Sequence, residues 1–192
     1  MLACIAIVGC RDRVHDPELQ WRSVSGKWRY RDGSISVLTY GRGDLSMAGD
    51  PAWQNYTLQA DLRYDLLFPE THYGDAGVTV RTTEVTPGVD SYRGYYVGLR
   101  ADDQTLLLGK ANYDWKALAT VRMPEPIRPG TWFHLSVSVR DCDFHVSANE
   151  SGSAAVTRLQ YTDANCLRSG SIGLRSFYTQ SSWRNFHIDL LR

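Results

Sequence analysis

The sequence predicts an all-β sandwich. Apolar and polar residues alternate in one segment after another, no stretch holds the helical period of about 3.6 residues, and turn signals recur between segments. About a dozen short strands follow from that pattern. A chain of 192 residues is long enough for one sizeable core. The 21 basic and 21 acidic residues cancel, which leaves no electrostatic footprint for nucleic acid. Eleven Tyr and six Trp stand out instead; aromatics at that density suit strands.

The chain opens with MLACIAIVGC. Leu2–Gly9 is far shorter than the roughly 20 apolar residues of a membrane-spanning helix. It fits the hydrophobic part of a signal peptide. Ile7-Val8-Gly9-Cys10 also matches a bacterial lipobox, in which Cys10 would be lipidated, although no basic residues precede it. A frayed or buried N-terminal segment is the alternative. We therefore expect residues 1–20 to be leader and polar linker and residues 21–192 to be the folded domain. On that reading the protein is exported to the periplasm or cell surface, touching membrane only through the lipid. Cys142 at a turn and Cys166 in a polar loop remain, and an oxidising compartment would allow them one disulfide.

Trp21 and Trp28 flank a Ser25-Gly26 turn, and Asp32-Gly33 reads as a hairpin between Trp28–Arg31 and Ser34–Tyr40. Arg42-Gly43-Asp44 is a chance tripeptide in which the glycines flex the chain between two strands. Tyr56–Tyr64 alternates cleanly; the loop Asp65–Asp75 after it is long for a β-protein. Gly77–Thr83, Arg93–Ala101 and Gln104–Lys110 form the central sheet. Val78, Val80, Tyr95, Val97 and Leu99 form one face, and Thr79, Arg81, Tyr96, Gly98 and Arg100 the other. Guanidinium groups, rings and a glycine gap suit a polar, ring-shaped ligand. Lys116–Val121, Thr131–Arg140, Phe144–Ala148, Ala154–Tyr161, Ser171–Phe177 and Trp183–Leu191 complete the strands.

The blocks SGKWRYRDGSI, WQNYTLQADLRY, AGVTVR, GYYVGLR, LLLGK, GTWFHLSVSVR, GSIGLRSF and WRNFHI carry a resemblance over roughly residues 21–191. Their order resembles the concanavalin A-like jelly-roll superfamily. Within it, the chain is most similar to family 66-type carbohydrate-binding modules and to 3-keto-disaccharide hydrolase (DUF1080) domains. The resemblance implies an antiparallel two-sheet jelly roll and a carbohydrate, an oligo- or polysaccharide, as partner. It implies ligand contacts from outward strand and rim residues: Arg81, Tyr96, Arg100, Lys110 and Trp115, with Tyr178 and Trp183 closing the same end. A salt bridge across the sheet is the competing role for Arg81, packing under a loop for Trp115, and plain solvation for Lys110.

Two further functions stay open beside non-catalytic sugar binding: glycoside hydrolysis or elimination on a keto-disaccharide, and adhesion to a protein partner. Glycoside hydrolysis needs two facing carboxylates, and neither E-x-D-x-x-E nor E-x-D-x-E occurs. Asp75, Glu84, Asp90 and Asp114 are the acids whose loops could meet at one rim, whereas Asp61 reads as a solvated face residue. His134, His145 and His187 fall on outward strand positions without metal-ligand spacing. A structural calcium on loop carboxylates would suit a jelly roll.

Overall fold

The computed structural model describes residues 12–15, 19–31, 33–70 and 73–191, with side chains from residue 19 onward. Every regular element among them is a strand. In chain order these are β1 (Asp12–His15), β2 (Arg22–Ser25), β3 (Trp28–Arg31), β4 (Ser34–Val37), β5 (Arg42–Ala48), β6 (Tyr56–Leu67), β7 (Asp75–Thr83) and β8 (Arg93–Arg100). There follow β9 (Thr105–Asn112), β10 (Trp115–Arg122), β11 (Trp132–Arg140), β12 (Asp143–Glu150), β13 (Thr157–Thr162), β14 (Ser171–Phe177) and β15 (Thr179–Leu190). One sheet runs β13-β12-β11-β6-β15-β4-β3, with β1 added against β15; the other runs β10-β9-β8-β7-β14-β5-β2. All pairings are antiparallel. This is the two-sheet jelly-roll sandwich expected.

The core lies between the sheets because alternation gives each strand one apolar face. Phe133, Leu135, Val137 and Val139 of β11 are buried, as are Tyr56, Leu58, Ala60, Leu62 and Tyr64 of β6. They meet Val78, Val80, Tyr95, Val97 and Leu99 from the other sheet in one cluster. Each large side chain buried this way contributes about 1.5–3 kcal/mol. A buried tyrosine also needs a partner for its hydroxyl. The Tyr64 hydroxyl donates to Leu99 O at 2.5 Å and accepts from Ala76 N at 3.0 Å, tying the sheets together. Trp183, expected at the ligand end, is fully buried and packs on Trp28 at 5.6 Å between ring centroids.

Several boundaries differ from expectation. Part of the expected linker forms β1, paired with the last strand from Asp12↔Leu190 to His15↔His187. β2 and β5 extend the seven-stranded sheet, and Arg42-Gly43-Asp44 opens β5. Asp44 is buried and accepts from Thr39 Oγ1 at 2.6 Å and Gly41 N at 3.0 Å, so it stabilises its own turn. β6 continues to Leu67 and β7 starts at Asp75, which shortens the long loop between them. Cys10 and Asp32 lie outside the described residues. Cys142 and Cys166 are joined in a disulfide with Cα atoms 5.5 Å apart.

Asp61 is not solvated. It is 9% exposed and takes hydrogen bonds from Asn185 Nδ2 at 2.7 Å and His134 Nδ1 at 3.0 Å. Burial alone would raise its pKa; His134 and Asn185 outweigh that and hold the carboxyl below its ordinary value.

Candidate functional site

The site is built on the outer face of the seven-stranded sheet, where the register sets successive rungs. One rung reads Met47, Gly173, Thr79, Tyr96 and Gly109; the next reads Leu45, Arg175, Gly77, Gly98 and Leu107. The third carries Phe177, Asp75, Arg100 and Thr105. Glycines on adjacent strands leave a hollow that large neighbours fill from the side. A Cβ at Gly98 would stand 2.2 Å from the Tyr96 hydroxyl, and one at Gly109 would stand 2.1 Å from the Trp115 ring. Those rings therefore lie along the sheet, 6.0 Å apart between centroids.

The loop after β7, residues 84–92, folds over this face as a wall. Val85 packs with Leu45, Met47 and Tyr92, and a Cβ on Gly43 of β5 would come within 3.1 Å of Val89 Cα. Between wall and strands lies a depression of about 320 Å³. Asp75, Asp90, Tyr96, Arg100 and Arg175 supply its polar lining, and Tyr73, Trp115 and Phe177 its rings.

Arg175 is its centre, 5% exposed. Nη1 donates to Asp75 Oδ1 and Nη2 to Asp90 Oδ1, both at 2.8 Å. The guanidinium carbon lies 4.7 Å from the Tyr96 ring centroid. Burial alone would lower the Arg175 pKa, but Asp75, Tyr92, Tyr96 and Asp90 reverse it and hold the charge. For Asp75 burial prevails, so its carboxyl sits above the ordinary Asp range despite Arg175. The Tyr96 hydroxyl faces that carboxyl without a well-formed hydrogen bond, and Arg175 Nε likewise lacks a protein partner among the described residues. Asp90 holds its place with φ of +50°, in the left-handed region that costs a non-glycine residue energy.

Of the expected ligand contacts, Tyr96 forms the floor, and Arg100 and Trp115 line the sides. Arg100 is also paired with Asp103 and lies 3.7 Å from Asp102. Tyr178 does not line the depression; its ring meets that of Phe177 edge-to-face, 4.6 Å between centroids. Lys110 is elsewhere. Because Gly109 pairs with Tyr96, Lys110 takes the opposite face, where Nζ reaches Asp163 Oδ2 and Asn165 O at 2.7 Å.

Arg81 is a correction with a clear cause. A bulge between Val80 and Thr83, with φ of +49° at Arg81, turns this side chain off the outer face. It is 1% exposed. Nε donates to Gln54 O at 2.9 Å, Nη1 to Asp141 O at 2.5 Å and Leu167 O at 2.7 Å, and Nη2 to Asn55 Oδ1 at 3.2 Å. It clamps three loops at the sandwich end.

Of the expected rim acids, Asp75 and Asp90 converge on Arg175. Glu84 instead pairs with Arg93 at 2.7 Å, and Asp114 is exposed in the turn before β10. No group of three or more metal-ligating side chains occurs among the described residues. The Asp75–Asp90 pair does not fit calcium as arranged, because the Arg175 guanidinium already occupies the cation position between them.

The sequence matches the 3-keto-alpha-glucoside-1,2-lyase-like domain family over residues 18–189. The chain belongs to that family. No curated protein matches it. Among solved structures, it is similar to the carbohydrate-binding module CBM66 from Bacillus subtilis, with TM-score 0.71 and 16% identity over 86% of this chain and 92% of that one. A Bacillus subtilis protein of unknown function with a galectin-like fold superposes with TM-score 0.63 at 13% identity, over 92% of this chain and 91% of that one. The exoplasmic/lumenal domain of VIP36, in a form bound to Ca2+ and Man3GlcNAc, gives 0.65 at 10% identity, over 92% of this chain and 85% of that one. At such identities the likeness speaks for the fold.

Proposed function

We propose that the depression over the seven-stranded sheet binds a saccharide. The observation that carries this is the Asp75–Arg175–Asp90 network set between the rings of Trp115, Phe177 and Tyr73. Sugar hydroxyls need donors and acceptors held in place, and the apolar face of a sugar ring stacks on an aromatic one. The wall and rigid strands fix these groups before a ligand arrives, which reduces the ordering cost of binding. The carbohydrate-binding module and the Man3GlcNAc-bound VIP36 domain among the similar structures support the same reading. A saccharide panel titrated by calorimetry, with calcium and with chelator, tests it. Binding should be lost on Trp115→Ala without loss of thermal stability; a parent chain that binds no saccharide contradicts the reading.

Family membership and the raised Asp75 pKa favour a second reading, elimination on a 3-keto-glucoside. The carbonyl at C3 acidifies the C2 proton, which passes to a carboxylate while the C1–oxygen bond breaks. A C1–C2 double bond forms, and the departing sugar oxygen takes up a proton. Asp75 would exchange protons, and the Arg175 charge would stabilise the enolate oxygen. Turnover of a 3-keto-disaccharide that Asp75→Asn lowers by about 10²–10⁴ supports this reading. Binding without turnover leaves the first.

We also propose that the domain lies outside the cytoplasm, tethered by lipid on Cys10. The Cys142–Cys166 disulfide fits an oxidising compartment. Processing unchanged by globomycin would overturn the tether.

A further inference from the structure

The outer face of the eight-stranded sheet has a chemistry of its own. Its register aligns Arg29, Ser36, Ser182, Arg63 and Trp132 on one rung. The neighbouring rung carries Arg31, Ser34, Arg184, Asp61 and His134. Four guanidinium groups thus share two rungs, and serines occupy the two central strands between them. Small side chains there leave a trough of about 450 Å³, lined by Arg29, Arg31 and Arg63 with Ser34, Ser36 and Ser182.

Across the two rungs the cations are unevenly satisfied, and Arg184 and Asp61 stand beside the trough rather than in its lining. Arg63 is fixed by Asp65, with Nη2 to Oδ1 at 2.6 Å, and Asp65 also accepts from Ser182 Oγ at 2.5 Å. Arg184 is shared between Asp61 at 3.5 Å and the Trp132 ring at 3.9 Å. Arg29 and Arg31 are exposed and make no ion pair among the described residues. Four guanidinium groups against the carboxylates of Asp61 and Asp65 give a local cationic excess on a chain whose formal net charge is zero.

We propose that this trough is a second ligand site, for an acidic saccharide bearing sulfate or carboxylate groups. Guanidinium forks match planar or tetrahedral oxyanions with paired hydrogen bonds, and the Ser34 hydroxyl can donate to the same oxygens or to sugar hydroxyls, while Ser36 is bonded to Ser182 and Ser182 to Asp65. From β3 to β6 the trough crosses three strand spacings, about 14 Å, which suits an oligosaccharide better than a single small anion. Arginines on the edge strand β3 would also discourage edge-to-edge pairing, but that role requires neither the serine floor nor the oriented Arg63. The site lies on the other sheet from the Asp75–Arg175 depression and does not rest on the function proposed there.

Affinity electrophoresis of the full chain at low salt tests it, in gels containing dextran sulfate, polygalacturonate or neutral dextran. The parent chain should be retarded by at least one acidic polymer and not by dextran. Retardation by only one of them names sulfate or carboxylate as the recognised group. The double variant R29Q/R31Q should bind at least tenfold more weakly at unchanged melting temperature. K116Q/R122Q, which removes the same charge from exposed positions on β10, should bind like the parent. R29Q/R31Q binding at parental strength, equal loss in both double variants, equal retardation by dextran, or no retardation by either acidic polymer overturns the proposal.

Discussion

Replacing Arg81 by Met removes a guanidinium while keeping most of the stem that packs beneath it. Four side-chain hydrogen bonds go with it, to Gln54 O, Asp141 O, Leu167 O and Asn55 Oδ1. Bonds from a charged donor contribute roughly 1.5–3 kcal/mol each, so the gross loss is large. Relief from burying the charge, worth several kcal/mol, offsets part of it. Setting that relief against the four neutral oxygen acceptors left without a donor gives a net loss of roughly 3–5 kcal/mol. For a chain of this length that corresponds to a melting temperature lower by roughly 6–20 °C. Urea unfolding of the parent and Arg81→Met, followed by circular dichroism, measures the difference directly. A loss below about 1 kcal/mol would refute the clamp, and unchanged stability with lost saccharide binding would return Arg81 to the ligand site.

Serine at both Cys142 and Cys166 should cost about 3.5 kcal/mol, from the entropy of a loop whose ends are 24 residues apart; differential scanning calorimetry reads the shift. Asp163 accepts from Lys110, the Tyr95 hydroxyl and Asn165 N. Burial alone would raise its pKa, but these partners lower it below the ordinary 3.8. Its stabilising share is therefore present above pH 3.8 and lost as pH falls through the depressed value, so Asp163→Asn should flatten acid unfolding in that window. Gly109→Val places side-chain atoms where the Trp115 ring lies and should weaken saccharide binding at least tenfold in calorimetric titration, with a smaller effect on folding.

Much of the architecture was legible in the sequence because alternation directly reports a half-buried strand. Tyr56–Tyr64 and Thr131–Arg140 are the clearest cases, and both lie in strands of the eight-stranded sheet. The site was legible in part. Tyr96, Arg100 and Trp115 share the outer face because their strands pair in regular register, as alternation implies. Arg81 defeated the same reasoning: a bulge shifts side-chain direction within one residue, and a positive φ at an arginine leaves no compositional trace. Lys110 failed by register, since only the pairing of Tyr96 with Gly109 assigns its face.

Arg175 could have been found. In GSIGLR it alternates against Ile172 and Leu174, which places it on the outer face, but nothing local shows that Asp75 and Asp90 close on it. Asp75 reaches it through the β7–β14 pairing and Asp90 through the path of the loop at residues 84–92, which neither periodicity nor turn chemistry encodes. The serine trough was hidden for a related reason. Its arginines and hydroxyls come from four strands, and beyond the β3–β4 hairpin these are adjacent only through the sheet order.

The site on the seven-stranded sheet is tested most directly by mapping amide and indole shifts while a glucose disaccharide, and then its 3-keto form, is titrated into the labelled chain. The Trp115 indole N–H and the amides of Gly98, Leu107 and Gly109 should move together and saturate at one concentration. Shifts confined to the other sheet, or none with either sugar, would contradict the assignment of the depression as the saccharide site.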